Sequence, residues 1–123
     1  MYAFLLMAHV GLAVLALLLT LGWAAFVVAA SAGPSRSSRL VYIGAMASTG
    51  LTGVTGVILA FAGAFATMAF PWIGLVAVAG HDFAGVRSRR YLAGDRKGAA
   101  IGAAALQAAL LLVAYGVMTA KPF

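Results

Sequence analysis

The first long segment of the chain carries no formally charged side chain. It runs from Tyr2 to Ala30 and consists almost entirely of apolar residues. As a helix it is long enough to span the ~30 Å hydrocarbon core of a bilayer with some tilt. The whole chain is 65% hydrophobic and 8% charged, whereas soluble domains are roughly half apolar and a quarter charged. The sequence therefore excludes a soluble globular fold and predicts a membrane protein.

Four apolar segments follow one another along the chain. No segment alternates polar with apolar residues, so strands are not expected, and helix is the conformation that satisfies the backbone in lipid. We predict an all-α fold: a single membrane domain over residues 1–123 with four transmembrane helices in an up-down-up-down bundle. The predicted helices span about 2–30, 40–67, 70–86 and 99–120.

The basic residues predict the orientation. Seven of the eight Lys and Arg residues lie in two connections, 31–39 and 87–98, whereas 66–71 carries no charge. By the positive-inside rule the two basic loops are cytoplasmic, so both termini lie outside the inner (plasma) membrane, as in a prokaryote. A net charge of +6 distributed in this way indicates topology and contact with anionic lipid headgroups rather than nucleic acid.

Small residues recur at spacings of three and four along the second predicted helix. We expect this face to pack against other helices, because helices in lipid associate through close packing. The small residues are Ala45, Thr49, Thr52, Gly53, Gly56, Ala60, Gly63 and Ala64. Large side chains on another face suit lipid or a neighbour's groove: Leu51, Val54, Ile58, Phe61 and Phe65. The fourth helix has a shorter small stripe at Ala100, Ala104 and Ala108. Such stripes serve contacts within one chain or between copies, so a homo-oligomer or a larger assembly is expected.

His9 is the first candidate for function, because an ionisable residue inside a membrane costs several kcal/mol unless it is partnered. Met7, Met68 and Met118 are predicted near the same outer surface. Imidazole and thioether groups suit both Cu(I) and haem iron. The residues predict haem b at His9 with Met7 and Tyr115 nearby, or copper at His9, Met68 and Met118. The alternative is that His9 bonds a carbonyl or Tyr115, and the methionines only fill space.

His81 and Asp82 form the second candidate, near the inner end of the predicted third helix. Adjacent helical residues point about 100° apart, so the two are not expected to share one face. Gln107 is predicted at the right depth to bond His81, and Asp82 is predicted to pair with Arg87 or Arg89. A structural clamp between the third and fourth helices is expected, with a proton entry point or a quinone-headgroup contact as the alternative. The two histidines of the chain lie in opposite halves of the bilayer, so one haem between them is not expected.

Several functional classes are excluded by what the chain lacks. The sequence contains no Cys, and its acids are Asp82 and Asp95 alone. Thiolate chemistry, two-carboxylate hydrolysis and a carboxylate-caged calcium ion are therefore not expected. No acid lies near the middle of a predicted span, which argues against a proton-coupled exporter.

Four motifs give the chain a family resemblance. They are LLMAHVGLAVLALLLTLGW, STGLTGVTGVIL, PWIGLVAV and the terminal Met118-Thr119-Ala120-Lys121-Pro122. Over most of its length the chain resembles the small four-helix membrane proteins grouped around the copper-resistance protein CopD, the SirB proteins and the HemJ-type protoporphyrinogen oxidases. The resemblance implies that His9 is a haem or metal ligand. HemJ-type oxidases also carry a lysine within the membrane, which this sequence lacks. Copper-transport members are larger, so a copper role implies oligomers or partners.

Together these features predict an accessory subunit of a redox-type membrane complex, or a homo-oligomer, that holds haem b through His9 and has no catalytic activity of its own. The alternatives are a copper-handling or ion-conducting protein that uses His9 and the outer methionines, and a scaffold without a ligand.

Overall fold

The computed structural model describes residues 1–121, and within that range the chain is entirely helical apart from its turns. The helices are α1 (Tyr2–Ala29), α2 (Arg36–Ala62), α3 (Phe70–Ala93) and α4 (Lys97–Ala120). The predicted all-α fold and the four helices are thereby confirmed. Pro122, the last residue of the terminal motif, lies outside the described residues.

Helix α2 begins and ends earlier than predicted. Its N-cap is Ser35, whose side-chain oxygen accepts a hydrogen bond from the backbone N–H of Ser38. Such a cap satisfies a backbone donor that the helix leaves unpaired, so the polar turn before Leu40 is already helical. The helix stops at Ala62, and Ala64 takes a left-handed conformation (φ 58°) that residues with a side chain rarely adopt. The predicted continuation to residue 67 is therefore wrong.

Helix α3 is longer than predicted, because the basic segment continues it. Nothing between Arg87 and Ala93 breaks a helix, and the helix ends only at Gly94, whose N–H donates to the carbonyl of Arg90. The predicted second basic loop is therefore mostly the last two turns of α3, followed by a short turn at 94–96. Pro71 in the first turn of α3 suits a position where the missing N–H costs nothing.

Consecutive helices pack side by side, and α4 closes the ring by packing against α1. Short connections make each helix antiparallel to the previous one. One end of the bundle, called the basic end below, holds Ala29, Arg36, Ala93 and Lys97. The other, called the terminal end, holds Tyr2, Ala62, Phe70 and Ala120.

Large apolar side chains cover the outside of the bundle, and polar side chains fill part of its interior. Phe4, Val76 and Phe83 are among the exposed apolar residues. The buried polar side chains include Thr20, Thr49, His81, Ser88 and Gln107. This distribution is the reverse of a soluble protein, in which polar residues are mostly exposed.

Three of the four described helices, α1, α2 and α4, are long and apolar enough to span a membrane. Helix α3 is not among them. It carries Asp82 and three arginines, Arg87, Arg89 and Arg90, which lower its mean hydropathy.

The two faces predicted for the second helix separate within α2, but Ala64 and Phe65 lie beyond its end, where Ala64 is exposed and Phe65 is half-buried. Ala45, Thr49 and Thr52 are buried, whereas Val54 and Phe61 are exposed. Small side chains let neighbouring backbones approach, which is the source of close packing between helices in lipid. The predicted stripe of the fourth helix is likewise buried at Ala100 and Ala104 and half-buried at Ala108.

Aromatic packing closes the basic end. Trp23 is fully buried, lies 5.1 Å from Tyr42 between ring centroids, and donates its indole N–H to Ser88 over 3.2 Å. The Ser88 hydroxyl donates in turn to the carbonyl of Ala100 at 3.1 Å. One chain of contacts thus joins all four helices at this end.

Candidate functional site

The two histidines occupy different kinds of site, and His81 occupies the closed one. Its side chain is fully buried. Nδ1 lies 2.9 Å from the Asp82 carboxylate, and Nε2 lies 2.9 Å from the Thr20 hydroxyl and 3.2 Å from the Gln107 amide nitrogen. Neighbours on α1 and α4 therefore engage one nitrogen of the ring, and its own helix engages the other.

The hydrogen bonds around His81 do not satisfy every atom. With Nδ1–H donating to Asp82, the single lone pair of Nε2 faces two donors, the hydroxyl of Thr20 and the amide of Gln107. Within residues 1–121, Gln107 Oε1 is the buried side-chain oxygen that has no partner. An unpaired buried acceptor costs about 1–3 kcal/mol. The amide of Gln107 is therefore the weak point of this network.

The structure brings together the three residues of the predicted clamp, His81, Asp82 and Gln107. It also corrects the expectation that neighbours on a helix cannot meet, because Asp82 pairs with His81 itself. The guanidinium groups predicted to pair with Asp82 lie elsewhere: Arg87 sits over Phe83 and Arg89 over Tyr42. Cation–π contacts of this kind compete with an ion pair for an arginine near aromatic rings.

His9 occupies the second site, which lies toward the terminal end and has fewer partners. Its ring is half-buried, and Nδ1 lies 2.8 Å from the Thr55 hydroxyl. That hydroxyl donates its one hydrogen within its own helix, where the carbonyls of Leu51 at 2.9 Å and Thr52 at 3.1 Å both accept. Thr55 is left to accept from His9, which assigns the proton of the neutral imidazole to Nδ1.

The other nitrogen of His9 is consequently an acceptor. Nε2 makes no hydrogen bond within residues 1–121. Glycine at position 56 permits this ring position, since a Cβ there would lie 3.2 Å from His9 Cε1. Thr55 and Gly56 together place a neutral imidazole with one unprotonated nitrogen at the wall of a cavity.

This cavity has a volume of about 290 Å³ and is lined by all four helices. Its wall is mainly apolar, with Ala13, Val57, Leu75 and Ala114 among its residues. Of the side chains predicted to act with His9, Tyr115 and Met118 line the same cavity. The Met118 methyl group packs where Gly74 has no side chain.

The other two predicted methionines do not reach the cavity. Met7 is 74% exposed and Met68 is 44% exposed, and neither lines the cavity wall. Tyr115 does not bond His9, because Thr55 has taken that role. The site of the structure thus consists of His9, Thr55, Tyr115 and Met118.

Haem b at His9 stays a prediction. The cavity is at the lower limit of drug-sized pockets, which run from about 300 to 1,000 Å³. For copper, His9 Nε2 and the Met118 sulfur are suitable donors in one cavity. Within residues 1–121 no group of three His, Cys, Asp or Glu side chains lies close enough to hold a metal ion. Copper at His9 and Met118 stays a prediction.

Comparison of the chain with protein families, with characterised proteins and with solved structures finds no match.

Two hydrogen-bond partners were missed by reasoning from the sequence. Thr20 was counted only as part of an apolar helix, and Thr55 was absent from the predicted packing face. Both are threonines that face a histidine on another helix. A search for hydroxyl residues at the depth of each histidine would have found them, because a histidine in lipid needs a partner.

Proposed function

We propose that the chain is an integral membrane protein in which all four helices span the bilayer. The observation that carries this proposal is the reversed polarity of the bundle. Lipid is a suitable solvent for exposed residues such as Phe4 and Phe83, whereas a monomeric soluble protein rarely exposes large apolar patches. Helix α3 joins as the fourth span because His81, a polar side chain near the middle of the helix, is turned inward.

The proposed orientation follows the charges. The three arginines in the last two turns of α3, together with Arg36, Arg39, Arg96 and Lys97, place the basic end on the cytoplasmic side. There these side chains contact anionic headgroups, each worth about 1 kcal/mol near the surface. The terminal end then faces outward across the inner membrane.

Orientation can be tested directly because the chain has no Cys. Ser37→Cys labels the basic end and Thr67→Cys the terminal end, and both positions are exposed. A membrane-impermeant maleimide should label Thr67→Cys in right-side-out vesicles and Ser37→Cys in inverted ones. The opposite pattern would reverse the orientation, and equal labelling of both in sealed vesicles would overturn the four-span proposal.

Within the membrane, the proposed role is that of an accessory subunit of a redox-type membrane complex, or of one copy in a homo-oligomer. The feature that supports a ligand-holding role is His9, whose imidazole lines an apolar cavity and has one nitrogen without a hydrogen bond. The interior polar groups of the bundle mostly bond to one another or to the backbone of their own helices, which leaves little machinery for catalysis.

A reduced-minus-oxidised visible spectrum tests the haem b prediction, with His9→Leu measured beside the wild type. A Soret shift and an α-band that vanish in His9→Leu would establish haem and make His9 an axial ligand. A colourless wild type would remove haem.

Copper is the second candidate, favoured by the shared cavity of His9 and Met118. Cu(I) binding to the purified protein should be lost in both His9→Leu and Met118→Leu, whereas Met7→Leu is the matched control. Equal copper content in all four proteins would exclude this site. Absence of both ligands, together with unchanged assembly of His9→Leu, would favour a scaffold.

A further inference from the structure

We propose that the cavity beside His9 binds a lipid-soluble hydroquinone, or a closely related phenol, and prefers it to the oxidised quinone. This inference rests on the membrane insertion proposed above and on neither haem nor copper. It starts from the hydrogen bond between the His9 ring and Thr55.

The tautomer of His9 determines what the cavity can recognise. The Thr55 hydroxyl has two backbone acceptors on its own helix, the carbonyls of Leu51 at 2.9 Å and Thr52 at 3.1 Å. With its only hydrogen donated there, it accepts from the imidazole at 2.8 Å. The proton of neutral His9 is thus held on Nδ1. Nε2 is left with a lone pair, and it binds a hydroxyl hydrogen but not a carbonyl oxygen.

The shape and lining of the cavity indicate an apolar ring as the carrier of that hydroxyl. About 290 Å³ admits a single ring and part of an alkyl tail. Aromatic side chains line it toward the terminal end, namely Tyr2, Phe65, Phe70 and Tyr115. Phe65 and Phe70 lie 5.7 Å apart between centroids, in the tilted arrangement that aromatic groups prefer.

The position of the cavity also suits a ligand from the bilayer. All fully buried residues of α1 lie between Ala16 and Val27, so the half of this helix near the terminal end is not sealed. The cavity extends from that end into the bundle, as far as Leu111 on α4. An apolar ligand dissolved in lipid therefore reaches His9 without crossing water.

Comparing the affinities of the reduced and oxidised ligand distinguishes this inference from unspecific binding in an apolar cavity. A hydroquinone has hydroxyl donors, whereas the quinone has only acceptors and would leave Nε2 unpaired. One neutral hydrogen bond of this kind corresponds to a preference of about five- to tenfold for the reduced form. An imidazole that can hold its proton on either nitrogen could pair with both forms, so the His9 contact would not distinguish them.

The experiment uses the full chain in nanodiscs of zwitterionic lipid, with decyl-benzohydroquinone under ascorbate and decyl-benzoquinone as probes. Isothermal titration should give the reduced form the lower Kd by about five- to tenfold. His9→Phe should remove the preference. Thr55→Val should weaken it, because the ring can then place its proton on either nitrogen. Thr49→Val is the matched control, since Thr49 makes the same type of bond to its own helix but lies outside the cavity.

The imidazole ¹⁵N spectrum gives a second readout that does not depend on ligand binding. With His9 assigned through His9→Gln, Nδ1 should be protonated and Nε2 unprotonated near neutral pH, and Thr55→Val should mix the two tautomers.

Equal affinity for both probes, or Nε2 protonated in the wild type, would overturn the inference. If decanol bound as tightly as the hydroquinone, the ligand of the cavity would be an aliphatic alcohol and the proposed aromatic ligand would be overturned. Failure of the chain to co-elute with nanodiscs would instead overturn the membrane proposal itself.

Discussion

The two histidines of this chain have the same chemistry but opposite surroundings. His81 is fully buried and both of its nitrogens are engaged, by Asp82, Thr20 and Gln107. His9 is half-buried, has one nitrogen engaged by Thr55, and lines a cavity. The difference teaches that burial of an ionisable group does not by itself indicate function. A group whose bonding capacity is used by its own fold ties helices together, whereas a group with an unused nitrogen can bind something else.

The largest expected contrast comes from removing each imidazole. His81→Leu leaves the Thr20 hydroxyl and the Gln107 amide without their partner and Asp82 without its hydrogen bond from Nδ1. It should lower the free energy of unfolding by about 3 kcal/mol. His9→Leu should cost only about 1 kcal/mol, because Thr55 keeps its bond to Leu51. Denaturant unfolding in detergent measures both, and equal losses would erase the distinction between the two sites.

A pair of glycine substitutions tests the same contrast through packing. A Cβ at Gly85 would lie 2.7 Å from Gln107 Nε2 and 2.8 Å from Met46 Sδ. Gly85→Ala should therefore displace the amide from His81 and destabilise by about 1–3 kcal/mol.

At Gly56 the new Cβ would lie 3.2 Å from the His9 ring, which has the cavity beside it. Gly56→Ala should change stability by less than about 1 kcal/mol, since the helix propensity of Ala offsets the close contact. Thermal unfolding of both variants checks the pair. A larger loss at Gly56 would show that the ring of His9 cannot move.

The smallest expected effect concerns the unpaired oxygen of Gln107. Gln107→Met keeps the length of the side chain and removes both the bond to His81 and the unsatisfied Oε1. The lost bond contributes about 0.5–1.5 kcal/mol and the unpaired oxygen costs about 1–3 kcal/mol. The variant should therefore be neutral or slightly more stable in denaturant unfolding. A loss above about 2 kcal/mol would mean that Oε1 has a partner, such as a buried water.

Much of the fold was predictable because it depends on local composition. Long apolar segments interrupted by basic turns predict helices and their number without knowledge of any contact. The faces of α2 also follow from the sequence, since the spacing of Ala45, Thr49 and Thr52 determines which side is small. Helix ends were less predictable. Ser35 and Gly94 determine two of these ends by capping the helices. Arginine is a good helix former, so the arginines at 87, 89 and 90 do not end α3.

The candidate sites were predictable only in part. Similar depth was enough to bring Gln107 to His81. The prediction of His81 near an inner helix end is wrong, because α3 continues to Ala93 and leaves His81 near its middle. Depth alone could not tell that Thr55 rather than Tyr115 would bond His9, since that choice depends on how α1 and α2 are rotated about their axes. The same holds for Met7 and Met68, which have the predicted depth but point away from the cavity.

The sequence by itself determined that this chain forms four apolar helices with its basic residues collected at one end, because composition and charge act residue by residue. Tertiary structure alone decided which histidine is saturated and which keeps a free nitrogen. That outcome depends on side chains from different helices meeting within about 3 Å, the range of a hydrogen bond. Rotating one helix about its axis by one residue, about 100°, would separate these hydrogen-bond partners without changing the helix propensity or hydropathy of any residue.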